Sequence, residues 1–109
     1  MTPGQVLARL ADLADPCAIV VRSEHDLYAS VIVTRRGDAI AAFRNKCPHA
    51  GYPLQRSDGR IVVQEGRYMV CAAHGASFTF DGACAGGPCN GDGLEPFPFE
   101  IRDGLILAR

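Results

Sequence analysis

Short apolar runs alternate with glycine-containing turns along the whole chain. Turns are predicted at Arg36-Gly37-Asp38, Ser57-Asp58-Gly59, Glu65-Gly66, Asp81-Gly82 and Asp103-Gly104. Glycine suits such turns because it tolerates a positive φ. The runs that favour β-strands cover residues 18–22, 28–34, 39–43, 61–63, 68–70, 77–80 and 105–108. Many short strands without a long helical pattern predict an all-β fold: an antiparallel sandwich or partly open barrel of about nine strands.

The two ends of the chain differ in how clearly they can be interpreted. At the carboxyl end, Phe97, Phe99 and Ile101 alternate with polar residues or proline before Asp103-Gly104 turns into Leu105 and Leu107, which predicts a hairpin. At the amino end, Thr2-Pro3-Gly4-Gln5 fits a helix cap, and Val6, Leu10 and Leu13 have helical spacing. Residues 6–10 could instead form a first strand that is followed by a turn at 11–16.

Composition narrows the class of protein. The chain has 109 residues, a formal net charge of −1, 48% hydrophobic and 21% charged residues. Its length predicts one domain, residues 1–109, that buries roughly 65% of its unfolded surface. The lack of a basic surplus argues against nucleic acid as a partner. No apolar run approaches the length of about eighteen residues that spans a bilayer, and Met1-Thr2-Pro3-Gly4-Gln5 does not resemble a secretory signal. We therefore expect a cytoplasmic protein that binds neither membrane nor nucleic acid.

Two clusters of metal-binding residue types stand out in this otherwise ordinary composition. The first is Cys47-Pro48-His49-Ala50-Gly51, and the second is Cys71-Ala72-Ala73-His74-Gly75, with 21 residues between His49 and Cys71. Each cluster pairs one thiolate donor with one imidazole, close enough for both to reach a common centre. The glycine after each histidine leaves the backbone room to turn around that centre.

The mixed composition of both clusters favours one metal centre over another. Zinc accepts two Cys and two His, but structural zinc sites usually take two ligands of the same kind from one loop. A [2Fe–2S] cluster with cysteines on one iron and histidines on the other needs one ligand of each kind from each loop. We therefore expect Cys47, His49, Cys71 and His74 to bind such a cluster, while a zinc-binding structural or interaction module remains the alternative from another class.

The two motifs together resemble those of Rieske [2Fe–2S] domains, specifically the small soluble ferredoxins. The resemblance extends over nearly the whole chain, and Gly86-Gly87-Pro88 resembles the third loop that covers the cluster in that family. It implies a Rieske-like β-sandwich with a small cluster-binding subdomain at one end, about residues 45–80. It also implies a strand at residues 6–10 rather than a helix, and an extended hairpin over residues 57–65.

The same resemblance implies a function. Cys47 and Cys71 would hold the buried iron, and His49 and His74 the outer iron near the surface. The chain is then expected to carry one electron at a time as the ferredoxin of a multicomponent, ring-hydroxylating type of oxygenase, between a flavin-dependent reductase and a terminal oxygenase. It would be a component of an oxidoreductase system with no catalytic site of its own. A small subunit of a nitrite reductase and a stand-alone Rieske protein are the alternatives within the same class.

Positions around the motifs indicate the redox potential and the docking surface. High-potential Rieske proteins have an extra disulfide where this chain resembles them at Tyr52 and Ala73, and hydroxyl donors where it has Ala76 and Phe78. Fewer hydrogen bonds to sulfur predict a potential at the low end of the Rieske range. The residues expected around the cluster form a mostly apolar rim, which would either dock a transient partner or only exclude water. That rim comprises Pro48, Tyr52, Pro53, Ala73, Gly87 and Pro88.

The remaining cysteines and basic residues are assigned structural or incidental roles. A reducing compartment argues for free thiols at Cys84 and Cys89, with a redox-linked disulfide or a second metal as alternatives. Cys17 is expected to be a small core residue, and His25 a solvated surface residue. Arg35-Arg36 is expected to form a solvated hairpin tip.

Overall fold

Ten β-strands in three antiparallel sheets make up the part of the chain that the computed structural model describes, residues 3–22, 30–48, 51–73, 75–89 and 91–109. The strands are β1 (Val6–Arg9), β2 (Cys17–Arg22), β3 (Ser30–Arg36), β4 (Ala39–Arg44), β5 (Val62–Gln64), β6 (Tyr68–Val70), β7 (Ser77–Thr79), β8 (Cys84–Gly86), β9 (Phe99–Arg102) and β10 (Leu105–Ala108). Single 3-10 turns lie at Leu10–Asp12 and Gly87–Cys89. The sheet orders are β1-β10-β9, β2-β3-β4 and β5-β6-β7-β8, so the strands do not close into one barrel. The predicted all-β, antiparallel fold is confirmed.

The sheet β2-β3-β4, called the central sheet below, separates two apolar clusters. Alternate residues of a strand point to opposite faces, and β3 is buried on both of them. Ile32 contributes to the cluster that contains Cys47 and Cys71, whereas Val31 and Val33 contribute to the cluster beneath β10. The Thr34 hydroxyl donates a hydrogen bond of 2.9 Å to the Phe80 carbonyl, which ties β3 to the end of β7. Cys47 and Cys71 therefore pack on a sheet whose middle strand is buried on both faces.

The amino-terminal segment forms a strand, β1, at Val6–Arg9. The family resemblance implied this strand, whereas the local spacing of apolar residues favoured a helix. β1 pairs with β10, with Val6 opposite Leu107, and the Gly4 amide donates to the Ala108 carbonyl at 2.7 Å. Pairing with an otherwise unsatisfied strand edge outweighs the weak capping signal, because it satisfies backbone groups along the whole segment. The helical spacing survives only as the 3-10 turn Leu10–Asp12.

The carboxyl-terminal hairpin is confirmed, and the structure decides which of its faces is buried. β9 and β10 pair across Asp103-Gly104, where both residues have positive φ, at 52° and 76°. Ile106 and Ala108 are buried, whereas Leu105 and Leu107 are only partly buried and Ile101 is exposed. The reason is that β10 lies between β1 and β9, so its inner face is decided by the sheet that it joins.

The predicted hairpin over residues 57–65 is wrong in its bounds. A tight turn closes at residues 56–60, where the Arg56 amide donates to the Arg60 carbonyl at 2.8 Å. The hairpin proper then begins at β5 and turns through Glu65 and Gly66 into β6. The extra length between the two motifs is thus a separate turn followed by a short hairpin.

Within the described residues, no helix is both long enough and apolar enough to cross a membrane.

Candidate metal centre

The two cysteine loops share one backbone arrangement. The Cys47 amide donates to the Tyr52 carbonyl at 2.8 Å, and the Gly51 amide donates back to the Cys47 carbonyl at 2.7 Å. In the second loop the Cys71 amide donates to the Ala76 carbonyl at 2.7 Å, and the Gly75 amide donates to the Cys71 carbonyl at 2.9 Å. The two loops are therefore structural repeats, each of which folds tightly around its own cysteine.

The glycine that follows each histidine is required by the conformation of its loop. Gly51 and Gly75 both have a φ of 75°, in the left-handed region that residues with a Cβ rarely adopt. The amide of each of these glycines closes the turn onto the cysteine carbonyl. The expectation that glycine lets the backbone turn here is confirmed.

The two cysteines meet in one buried environment. Cys47 is 1% exposed and Cys71 is 2% exposed, and both belong to the apolar cluster that also contains Leu54, Met69 and Phe78. Neither cysteine takes part in the disulfide described below. A pair of buried thiols on matching loops fits the sulfur half of the expected donor set, because thiolates bound to iron are shielded from water.

The two expected imidazole ligands, His49 and His74, lie outside the described residues. The ranges that are described contain no group of three or more His, Cys, Asp or Glu side chains that could hold a metal ion. Of the four expected ligands, the structure thus brings together the two cysteines. His25, expected to be a surface residue, also lies outside the described residues.

A buried asparagine outside the two predicted motifs holds the first loop. The Asn45 side chain accepts a hydrogen bond from the Leu54 amide at 2.8 Å, and donates to the Ser30 hydroxyl at 3.0 Å and to the Gln55 amide oxygen at 2.6 Å. It spans the loop at its base, from the end of β4 to the residues that follow Pro53. Its position two residues before Cys47, directly after an apolar strand, was the only signal of this role in the sequence.

The exposed side chains of the two cysteine loops are mostly apolar. Tyr52 is 55% exposed, and Pro53, Ala72 and Ala73 are exposed as well. Pro48 is half-buried beside them. The expected apolar rim is thus exposed at Tyr52, Pro53 and Ala73.

The third loop lies directly on the second cysteine loop. A Cβ placed on Gly87 would lie 3.0 Å from the Gly75 carbonyl oxygen and 3.1 Å from the Ala76 Cα, so a larger residue would push the neighbouring backbone aside. Gly87 also has a positive φ of 77°. The expected covering loop is therefore in contact with the loop that carries Cys71.

The expectation of free thiols at Cys84 and Cys89 is wrong, because the two residues form a disulfide. Cys84 lies in β8, opposite Phe78 of β7, and Cys89 ends the following 3-10 turn. That turn brings the two Cα atoms to 5.8 Å, within the range that a disulfide spans. The expectation rested on the redox state of the compartment, which says nothing of this local geometry.

Two further residues have roles that the sequence only partly indicated. Cys17 is half-buried against the second apolar cluster, and its burial raises the pKa of the thiol. Arg35 is not a solvated tip, since its guanidinium donates to the carbonyls of Leu10 and Leu13, each at 3.1 Å. It closes the turn between β1 and β2, and only its neighbour Arg36 is exposed as expected.

A family model described as the Rieske [2Fe-2S] domain matches residues 5–98. Among solved structures, a ferredoxin of Sphingomonas yanoikuyae B1 is 25% identical, with a TM-score of 0.70 and coverage of 96% of each chain. The ferredoxin of carbazole 1,9a-dioxygenase from Nocardioides aromaticivorans IC177 is 22% identical, with a TM-score of 0.73 and coverage of 98% of this chain and 97% of that one. Because it is only 22% identical, the carbazole dioxygenase ferredoxin shows that the folds are alike and nothing further.

A curated relative matches over a shorter stretch. The chloroplastic chlorophyllide a oxygenase of Chlamydomonas reinhardtii is 39% identical over 70 residues, which is 61% of this chain. The match spans only 10% of the length of that relative. The likeness therefore concerns one segment of a much larger protein.

Proposed function

Because the chain belongs to the Rieske [2Fe–2S] domain family, and so carries electrons on a Rieske-type cluster, we propose that Cys47, His49, Cys71 and His74 are its ligands. The single observation that supports this assignment is the pair of buried cysteines on repeated loops, each with a histidine two or three residues further along. When bound, the cluster supplies one-electron redox chemistry. The chain itself excludes water from the two cysteines, since both are almost fully buried.

The proposed carrier works within one domain, residues 1–109, in the cytoplasm. The cluster-binding subdomain covers about residues 45–80, from Asn45 at the base of the first loop to Phe80 at the end of β7. Asn45 fixes the first loop, and the Thr34 hydroxyl fixes the carbonyl of Phe80. Both ends of the subdomain are thus anchored to the central sheet.

The proposed partners are a flavin-dependent reductase as electron donor and a terminal oxygenase as acceptor. Support comes from the likeness to two ferredoxins, which extends over nearly the full length of this chain and of each ferredoxin. One of these two ferredoxins belongs to a carbazole dioxygenase. The exposed rim residues Tyr52, Pro53 and Ala73, together with their exposed neighbour Ala72, offer a docking surface. Lys46 adds an exposed charge close to Gly51. Small, partly apolar surfaces suit the brief encounters that electron carriers make.

Anaerobic stopped-flow spectroscopy tests the partner assignment. The holoprotein should be reduced by an NADH-dependent flavin reductase of an oxygenase system, and then reoxidised by the terminal oxygenase of the same system. Tyr52→Ser should slow both transfers through weaker docking, whereas Ile101→Ser, a similarly exposed apolar position in β9, should slow neither. Transfer to a nitrite reductase large subunit but to no oxygenase would favour the nitrite reductase alternative instead.

Spectra of histidine variants test the ligand assignment. The holoprotein should be red-brown with bands between about 400 and 600 nm, whereas a colourless zinc protein would contradict the proposal. His49→Cys and His74→Cys should each abolish the Rieske-type EPR signal, because a thiolate replaces an imidazole on the outer iron. His25→Gln is the matched control and should keep the signal. An unchanged spectrum in either ligand variant would exclude that histidine.

A further inference from the structure

The disulfide joins Cys84 and Cys89, which flank the third loop, Gly86-Gly87-Pro88. Cys84 is half-buried in β8, while Cys89 is 1% exposed and belongs to the same apolar cluster as Cys47 and Cys71. The segment between them, Ala85 to Pro88, contains the close contact of Gly87 with Gly75 and Ala76. The disulfide therefore encloses the part of the chain that rests on the second cysteine loop.

Strand pairing alone holds this segment weakly. β8 pairs with β7 at only two positions, Ser77 with Gly86 and Phe78 with Cys84, and the register shifts between them. A short edge strand with a bulge opens readily, since few backbone hydrogen bonds oppose its separation. The covalent link is thus the strongest constraint on the third loop among the described residues.

The site accommodates the dithiol state as well as the disulfide. Cys89 Sγ lies 3.2 Å from the Gly86 carbonyl oxygen and 3.5 Å from that of Ser77. A Cys89 thiol would have an acceptor in place for its proton, so that reduction would not leave a buried donor unsatisfied. Cys84 Sγ lies 3.8 Å from the Gly86 carbonyl oxygen, and Cys84 is the less buried residue of the pair.

In the cytoplasm, the reducing compartment proposed above for this chain, disulfides are rare, and those that occur are usually catalytic or redox-sensing. We propose that Cys84 and Cys89 form a second redox site, which exchanges two electrons with an external dithiol and thereby sets how firmly the third loop is held on the Cys71 loop. This goes beyond the one-electron role of the cluster, since it uses different residues and a different co-reactant.

The exchange proceeds in two displacements. A thiolate of the external dithiol attacks Cys84 Sγ, the Cys84–Cys89 bond breaks, and Cys89 leaves as a thiolate that takes up a proton. The second thiol of the reductant then attacks the sulfur that the reductant contributed to the mixed disulfide. Cys84 leaves as a thiolate, which is protonated in turn. Two electrons and two protons pass to the chain, and the dithiol becomes a disulfide.

Peptide mass spectrometry measures the state of the site. Cleavage before aspartate yields residues 81–91, which contain Cys84 and Cys89 but none of the other cysteines. In the holoprotein as isolated without reductant, this peptide should carry no alkyl adducts. After anaerobic incubation with dithiothreitol it should carry two, while the visible bands of the cluster persist. Adducts on the untreated peptide, or resistance to dithiothreitol up to the point of cluster loss, would overturn the proposal.

Release of iron to a chelator measures the effect on the third loop. Reduction of the disulfide should speed loss of the visible bands about ten-fold, because the loop regains the freedom that the link removed. The variant with Cys84→Ser and Cys89→Ser together should lose them at the faster rate with or without dithiothreitol. Cys17→Ser is the matched control, since Cys17 lies in the other apolar cluster, and it should respond like the wild type. Equal rates in wild type and double variant would show that the disulfide does not hold the loop.

Discussion

The backbone amide of Ala72 donates a hydrogen bond of 3.1 Å to the carbonyl of Leu54. This bond joins the second cysteine loop to the residues that follow the first one. Since main-chain atoms make it, any residue other than proline at position 72 can donate it. The relative position of Cys47 and Cys71 therefore depends on how well Leu54 is held, and its own amide is bound by Asn45 at 2.8 Å.

Asn45→Ala should loosen the first cysteine loop. The variant leaves the buried amide of Leu54 without its acceptor, which costs about 2 kcal/mol. We expect the thermal midpoint of the holoprotein to fall by about 10 °C. Gln55→Ala is the control, because it removes only one of the groups that bind Asn45 and should lower the midpoint less. Equal losses in both variants would contradict the role assigned to Asn45.

Gly87→Ala should disturb the contact between the third loop and the second cysteine loop. The added Cβ would lie 3.0 Å from the Gly75 carbonyl, whereas a Cβ on Gly91 would meet nothing within 4 Å. Both glycines have positive φ, so Gly91→Ala carries similar backbone strain without the collision. We expect Gly87→Ala to release iron to a chelator several-fold faster than Gly91→Ala. The same rate in both would mean that the contact does not protect the site.

The strands with strong apolar runs could be predicted from the sequence, and the strands without such runs could not. β2, β3, β4, β6 and β10 lie within one or two residues of the expected bounds, because β-branched and apolar residues dominate them. β8 consists of Cys84, Ala85 and Gly86, which carry no such signal, and it forms because β7 offers an edge beside it. The inward face of β10 was equally undetermined, since all four of its residues are apolar.

The sequence predicts the ligand types of the candidate site, but not the contacts that hold its loops in place. Cys47 and Cys71 stand in spacings that few other centres need, so the sequence alone indicates them. The contribution of Asn45 depends on Ser30, Gln55 and Leu54 converging on it, and the disulfide depends on a turn that brings Cys84 and Cys89 together. Such convergence is a property of the folded chain that no local pattern encodes.

Arg35→Ala should destabilise the fold at the turn between β1 and β2. The variant removes the donors that bind the carbonyls of Leu10 and Leu13, and we expect a loss of about 2 kcal/mol in the free energy of unfolding. Arg36→Ala is the matched control, since Arg36 is the exposed neighbour and should change the value little. Chemical denaturation of the two variants measures the difference. A cost for Arg36→Ala as large as that for Arg35→Ala would contradict the assignment.

Thr79→Val should alter how stability depends on acid. The Thr79 hydroxyl donates to the Asp81 carboxylate and lowers its pKa below the ordinary value of 3.8. A carboxyl group with a lowered pKa stabilises the fold above pH 3.8, and that contribution disappears as the pH falls through the folded value. The difference in stability between wild type and Thr79→Val should therefore shrink below pH 3.8, and Thr79→Ser should resemble the wild type. Because Asp81 is exposed, we expect a small effect, and a difference that grows on acidification would contradict it.

The midpoint potential should lie near the low end of the Rieske range, at about −150 mV. Ala76 and Phe78 are fully buried in the same apolar cluster as Cys71 and offer no side-chain donor to sulfur, so the reduced cluster should gain less stabilisation than in proteins with hydroxyls there. One added hydrogen bond of about 1 kcal/mol corresponds to about 40 mV for a one-electron couple. Phe78→Tyr and Ala76→Ser should therefore raise the potential by about that amount, while Ala73→Ser, on the exposed rim, should not. A wild-type midpoint above about +100 mV, measured by redox titration, would contradict this account of the tuning.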